Sequence, residues 1–69
     1  MDPFHIRLLT ERTKTGASQV AVAKAIGISW RAYQRYEKGE RIPTVPILVA
    51  ICDYFGVTAD YLLGRSDKP

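Results

Sequence analysis

The sequence predicts an all-α fold of five short helices. Glycine and proline divide the 69 residues into pieces of helical length, and no piece shows the strict alternation of apolar and polar residues that strands require. A serine or threonine also precedes each of the last four pieces, where its hydroxyl could accept a hydrogen bond from the first helical turn. One compact five-helix domain is therefore expected over residues 1–69.

The first two helices have well-marked ends. Helix one is predicted from Pro3, which suits a first helical turn, to about Thr15, and Gly16 ends it. Helix two is predicted between a Ser18 cap and a Gly27 stop. The apolar residues that these helices are expected to turn inward are Phe4, Leu8, Val22, Ala23 and Ile26.

Helix three is predicted from a Ser29 cap to about Lys38. Its Tyr33 and Tyr36 continue an apolar face that begins at Ile28. This helix is therefore expected to pack through its tyrosines and to expose its opposite side.

Two helices complete the chain. Helix four is predicted from a Thr44 cap to Phe55, and helix five from a Thr58 cap to Gly64. The polar tail over 65–69 is expected to fray.

Positive charge is concentrated in the middle of the chain. The net charge is +3, yet the stretch from Arg12 to Arg41 holds seven basic and two acidic residues, a local charge of +5. A basic centre between mildly acidic ends favours a polyanionic partner, and double-stranded DNA is the simplest one.

The connection between helices two and three predicts a helix-turn-helix over about 18–38. Only Gly27, Ile28 and Ser29 separate the two helices, a length that suits a tight crossing with glycine in the turn. Ala23 is small enough for the helices to approach closely, and Gly27 can adopt a left-handed backbone without a Cβ clash.

With these features the sequence resembles the Cro/repressor-like, or lambda repressor-like, helix-turn-helix DNA-binding family. The resemblance extends to the stretch Tyr36–Gly39 followed by Pro43, and to the ending over 55–64. Two positions depart from the family pattern, because Ala17 stands where leucine is usual and Tyr33 where an aliphatic residue is usual. The resemblance implies a DNA-binding transcriptional regulator, most simply a phage-type repressor in a bacterial cytoplasm.

A polar stripe on helix three is the predicted recognition surface. Its members recur at helical spacing opposite the tyrosines, and they are Arg31, Gln34, Arg35 and Lys38. Arginine can donate two hydrogen bonds to guanine, and glutamine can pair with adenine. The alternative is a solvated charged face with no ligand.

Trp30 and Gln19 open helices three and two. Trp30 stands where the family commonly places a base-contacting polar residue. It is therefore predicted to contact DNA, at a thymine methyl group or at the sugar-phosphate wall. The alternative is that it packs over the first two helices. Gln19 resembles a family glutamine that binds phosphate and braces the recognition helix. Its alternative is an ordinary surface glutamine.

Phosphate contacts are predicted at two places. The free amides beside Ser18 form an anion site through the helix dipole, and Lys38 and Arg41 flank the Gly39 loop. These contacts would position the protein on DNA without reading the sequence.

The resemblance also implies a salt bridge and a dimer. Arg12 and Glu37 match a family pair that joins helix one to the end of helix three; the alternative is two unrelated surface charges. The family dimerises near its last helices, which makes Ile47, Ala59 and Leu62 candidates for a homodimer interface.

Helix four supports a rival interpretation because it is apolar nearly all round. Leu48, Ile51, Cys52 and Phe55 suffice for the core, so other apolar residues are left over: Ile47, Val49 and Tyr54. The rival function is a protein-interaction module, such as an antitoxin that holds its toxin. The same residues could also be unremarkable surface positions.

Other classes of function find little support. A domain of 69 residues has little room for a walled catalytic cavity, and His5 and Cys52 each stand alone, so no enzyme, metal or other cofactor is expected. The longest apolar stretch, from Val45 to Cys52, is too short to cross a membrane. Without a secretory signal or a second cysteine, a cytoplasmic location is predicted.

Overall fold

All five predicted helices are present in the computed structural model, which describes residues 2–69 and so leaves Met1 of the expected domain outside. The fold is all-α. Helices three and five end slightly earlier than the sequence predicted, at Glu37 and Leu62. The helices are α1 Phe4–Thr15, α2 Gln19–Ile26, α3 Trp30–Glu37, α4 Val45–Phe55 and α5 Ala59–Leu62.

Three of the four hydroxyl caps form as the sequence predicts. The Ser18, Ser29 and Thr58 hydroxyls each accept a hydrogen bond from a backbone amide three residues later, at 3.0, 3.1 and 3.1 Å. Thr44 occupies the cap position of α4, but its side chain accepts no such bond. Pro46 lies in the first turn there and lacks one of the amide hydrogens that a capping hydroxyl would use.

The core lies where α3 packs against α1 and α2, with α4 against α2 and α5 closing the far side against α1 and α4. The side chains that are fully removed from water are Leu8, Val22, Tyr33, Ile51 and Leu62. The bulky tyrosine at the third-helix core position is therefore accommodated at the centre of the fold.

Leu62 was predicted to lie in a dimer interface, and that prediction is wrong. Its side chain is 0% exposed and belongs to the core, whereas the neighbouring Leu63 is 50% exposed. Ile47 also packs partly against the core, and Ala59 is exposed. Helix α5 has only four residues, too few for helical periodicity to separate the inward side from the outward side.

Arg7 of α1 contacts the C-terminal tail, which the sequence predicts to fray. The buried guanidinium donates hydrogen bonds to the Tyr61 carbonyl at 3.2 Å, to the Ser66 carbonyl at 2.7 Å and to the Asp67 carboxylate at 2.6 Å. It also lies 4.3 Å from the centre of the Tyr61 ring, a favourable position for a cation. A buried arginine needs several acceptors, and the tail supplies two of them.

Replacing Arg7 with alanine is expected to release residues 66–68 and to lower the free energy of unfolding by about 2 kcal/mol, because the three hydrogen bonds from its guanidinium to Tyr61, Ser66 and Asp67 are lost. NMR relaxation of the tail amides would measure the release. Arg65→Ala is the matched control, since Arg65 is exposed and approaches Asp60 only at 3.9 Å. A tail as ordered in Arg7→Ala as in the parent would contradict this role.

Candidate nucleic-acid interface

The helix-turn-helix is formed by α2, α3 and the three residues between them. Gly27 ends α2 with φ at +83°, a left-handed conformation that a side chain would strain. The amides of Gly27 and Ile28 both donate to the Ala23 carbonyl at 3.0 Å. Ala23 is buried where the two helices meet, so its small side chain fixes how closely α3 crosses α2.

Helix α3 has two chemically distinct sides. Tyr33 and Tyr36 are buried on the inner side, whereas Arg31, Arg35 and Lys38 are exposed and Gln34 is half-buried. Within residues 2–69, the three basic side chains form no ion pair. The predicted stripe therefore presents three cations to solvent on one side of an anchored helix.

Glu37 anchors that helix by accepting four hydrogen bonds. Its Oε2 accepts from Arg12 Nε and from the Tyr33 hydroxyl, both at 2.6 Å. Its Oε1 accepts from Gln19 Nε2 at 2.9 Å and from Arg12 Nη2 at 3.1 Å. Arg12 Nη1 also donates to the Ala17 carbonyl at 3.1 Å. One carboxylate thus joins α1, α2 and α3.

The network shifts the pKa values of its members. Burial acts to raise the pKa of Glu37, but the hydrogen bonds from Arg12, Tyr33 and Gln19 outweigh it, so the pKa lies below its ordinary value. Burial and the Glu37 carboxylate raise the pKa of the Tyr33 hydroxyl well above its ordinary value. The hydrogen bond to Glu37 raises the pKa of Arg12. The ion pair is therefore intact at neutral pH.

Acid is expected to destabilise the fold through Glu37. Because the pKa of this carboxyl is lowered in the folded state, the unfolded chain takes up the proton first as the pH falls. The stabilisation is fully present above the ordinary pKa of 4.5 and is lost as the pH falls through the lower folded value. Urea unfolding at pH 7, 4.5 and 3 would measure the loss.

Glu37→Gln provides the comparison, because this variant cannot titrate at position 37. It is expected to be less stable than the parent at pH 7 and to lose less stability between pH 5 and pH 3. An equal loss in both proteins over that interval would assign the acid sensitivity to other carboxyl groups.

Gln19 and Trp30 are brought together by the fold. The Trp30 Nε1 donates a hydrogen bond to Gln19 Oε1 at 3.1 Å, while 51% of the Trp30 residue stays exposed. Gln19 thus links the first residue of α3 to Glu37 at the end of the same helix. No local pattern indicates this link, because it joins two side chains 11 positions apart.

The predicted phosphate-binding positions lie on the surface. Ser18, Lys38 and Arg41 are exposed, and the Ser18 hydroxyl already caps α2. Between the two cations, Gly39 has φ at +76°, and a Cβ atom there would come within 2.9 Å of His5 Nδ1. This loop therefore needs glycine both for its backbone conformation and for its contact with α1.

Two hydrogen-bonded pairs escaped the sequence interpretation. Tyr33 and Glu37 lie four positions apart on one helix, a spacing that brings side chains together, so their hydrogen bond could have been predicted. A second pair is formed by Tyr61, whose hydroxyl donates to the buried Glu11 at 2.9 Å across 50 positions. No local pattern indicates a contact of that kind.

Residues 2–69 form no pocket and bring together no group of three His, Cys, Asp or Glu side chains that could hold a metal ion. In the same described range, no helix combines the length and apolar character needed to cross a membrane. The candidate interface of these residues is therefore the exposed, positively charged side of α3.

Comparison with known proteins assigns these features to a family. A family model described as helix-turn-helix matches residues 8–62. The transcriptional repressor RstR of the cryptic phage CTXphi from Vibrio cholerae is 41% identical over 59 residues, which are 86% of this chain and 53% of the relative. A prophage-derived regulator from Bacillus subtilis, YonR, is 37% identical over 60 residues, 87% of this chain and 56% of the relative. The chain thus spans about half the length of these relatives.

Two solved structures share the fold. The P22 c2 repressor, crystallised with a synthetic operator, superposes with a TM-score of 0.90 at 27% identity, covering 96% of this chain and 100% of that one. The solution structure of the P22 c2 DNA-binding domain gives a TM-score of 0.88 at 28% identity, covering 99% of this chain and 88% of that one.

Proposed function

The chain belongs to the helix-turn-helix family, and from this premise we propose that it is the sequence-specific DNA-binding domain of a transcriptional regulator, a phage-type repressor. The observation that carries the proposal is a set of exposed cations along α3 and at its C-terminal cap, on a helix held from behind by Tyr33 and Glu37. These cations are Arg31, Arg35 and Lys38. The regulator would act on DNA in the cytoplasm of a bacterium.

On this proposal α3 enters the major groove, which is about 12 Å wide and admits a helix. Arg31 and Arg35 read guanine through two hydrogen bonds each, and Gln34 reads adenine from its half-buried position. The network around Glu37 fixes the angle at which α3 is presented, so these side chains meet the bases without first ordering the helix.

Phosphate groups are held on either side of α3. The first-turn amides beside Ser18 and the Gln19 side chain bind one phosphate, and Lys38 and Arg41 bind another across the Gly39 loop. These contacts give affinity for any duplex and make that affinity fall as salt rises.

A homodimer on an inverted repeat completes the proposal. The exposed Ala59 and the half-buried Ile47 are candidates for the contact, and the exposed Leu63 is a third. Two recognition helices must lie about 34 Å apart to enter successive major grooves on one side of the duplex. Blocking of the polymerase at such an operator is the expected outcome of binding.

Selection of bound duplexes from a random DNA pool tests this function. The parent is expected to enrich a two-fold symmetric motif, and an Arg31→Ala, Arg35→Ala double variant is not. An Arg65→Ala, Lys68→Ala double variant is the charge-matched control, because it also loses two cations but outside α3, and it is expected to enrich the same motif. Folded parent protein that enriches no motif would refute the proposal.

A second candidate function rests on helix α4. Val45 and Val49 are exposed one turn apart on α4, a small apolar strip that a protein partner could cover. Such a module would hold another protein as an antitoxin holds its toxin, with DNA binding secondary. Failure of the folded parent to enrich any motif would favour this function.

A further inference from the structure

Trp30 is the first residue of the recognition helix, and the only polar atom of its side chain is already hydrogen-bonded. An indole has one hydrogen-bond donor and no acceptor, and that donor is engaged by Gln19 Oε1 at 3.1 Å. The residue is nevertheless 51% exposed. The free surface that this side chain offers to a ligand is therefore carbon.

The place of Trp30 limits which ligand that carbon surface can meet. It is the first residue of α3, directly after the Ser29 cap, and the N-terminal residues of a recognition helix contact base edges. Among the groups that base edges present in the major groove, the 5-methyl group of thymine is the apolar one.

We propose, resting on the proposed DNA-binding function, that Trp30 is a specificity-determining residue that reads thymine by packing its indole against the 5-methyl group. Gln19 is the positioning residue for this contact. Its amide oxygen holds the indole, and its amide nitrogen donates to Glu37 Oε1 at 2.9 Å, so the ring is tied to the Arg12–Glu37 ion pair.

This arrangement also redefines the role predicted for Gln19. With its oxygen bound to Trp30 and one amide hydrogen bound to Glu37, the side chain keeps a single amide hydrogen for a phosphate. A ring held by such a partner loses little conformational freedom on binding. Packing against a methyl group therefore requires little further ordering of this side chain.

Replacement of thymidine by deoxyuridine, which lacks only the methyl group, tests the proposal. Each thymidine of the selected operator is replaced in turn, and the Kd is measured for the parent and for Trp30→Ala. The parent is expected to bind about fourfold more weakly for each contacted methyl group removed. Trp30→Ala is expected to bind the thymidine and deoxyuridine duplexes equally at that position.

Two further variants separate the thymine contact of Trp30 from the positioning of its ring by Gln19. Arg31→Ala is the matched control, because it weakens operator binding but should keep the fourfold preference for thymidine. Gln19→Leu has no side-chain atom that could accept the indole hydrogen, and it should reduce that preference towards none. Circular dichroism checks that each variant is folded, and Trp30, the one tryptophan of the chain, should change its fluorescence when the parent binds.

The possible outcomes distinguish this inference from the function on which it rests. A selected motif that the parent binds equally well with deoxyuridine at every position would overturn the inference alone. The same holds if Trp30→Ala weakens all duplexes alike, which would indicate packing on the sugar-phosphate backbone. A parent that selects no motif would overturn the proposed function and this inference together.

Discussion

Replacing Arg12 with alanine is expected to lower the free energy of unfolding by about 3 kcal/mol. The Glu37 side chain is only 5% exposed, and it would keep two of its four hydrogen bonds, those from Tyr33 and Gln19. A buried carboxylate without its cation is strongly destabilising, because it has given up water and gains no opposite charge in return. The Ala17 carbonyl would also lose its donor.

Thermal and urea unfolding would measure the effect. For a domain of this size, 3 kcal/mol corresponds to a fall in Tm of roughly 12 to 24 °C, and the total stability of such small cores rarely exceeds about 3–5 kcal/mol. Much of the variant would therefore be unfolded at moderate temperature.

Lys14→Ala is the control for this comparison. Lys14 lies on the same helix and pairs with Glu11 at 3.1 Å, but its side chain is 60% exposed. Because the Lys14 ammonium lies in solvent and the buried Glu11 keeps its hydrogen bond from the Tyr61 hydroxyl, the loss is expected to stay near about 1 kcal/mol. An Arg12→Ala midpoint that moves no further than the Lys14→Ala midpoint would show that the buried pair contributes little.

The parts of the fold that could be predicted from the sequence are mostly those set by residues close together in the chain. The helix ends follow from side chains that act within a few residues, such as the Ser18 and Ser29 caps and the left-handed Gly16 and Gly27. Such signals are present in the sequence wherever the rest of the chain lies. The helix-turn-helix could be predicted for the same reason, since its turn is set by three consecutive residues.

Contacts between distant residues could not be predicted from local pattern. Arg7 meets Ser66 across 59 positions, and nothing near either residue indicates the other. The link from Trp30 to Gln19 depends on the angle at which α3 crosses α2, which the sequence does not specify to the accuracy of a hydrogen bond. These contacts nevertheless decide how the candidate interface is held.

On the proposed function, Arg31 reads bases and Lys38 binds a phosphate, so removal of each is expected to weaken DNA binding in a different way. Arg31→Ala should cost about 1–3 kcal/mol on the selected operator, a loss of about 5- to 150-fold in affinity, and should cost far less on an unrelated duplex. Lys38→Ala should weaken both duplexes by a similar factor, because a phosphate contact carries no sequence information.

The dependence on salt separates the two cases further. In a plot of the logarithm of affinity against the logarithm of salt concentration, Lys38→Ala should reduce the slope by about one, since one fewer phosphate is neutralised. Both side chains are exposed and form no ion pair among residues 2–69, so neither variant should unfold. Fluorescence anisotropy on both duplexes over a series of salt concentrations measures all these quantities. If Arg31→Ala weakened the two duplexes equally, Arg31 would be a phosphate contact and the specificity of α3 would have to come from Trp30, Gln34 and Arg35.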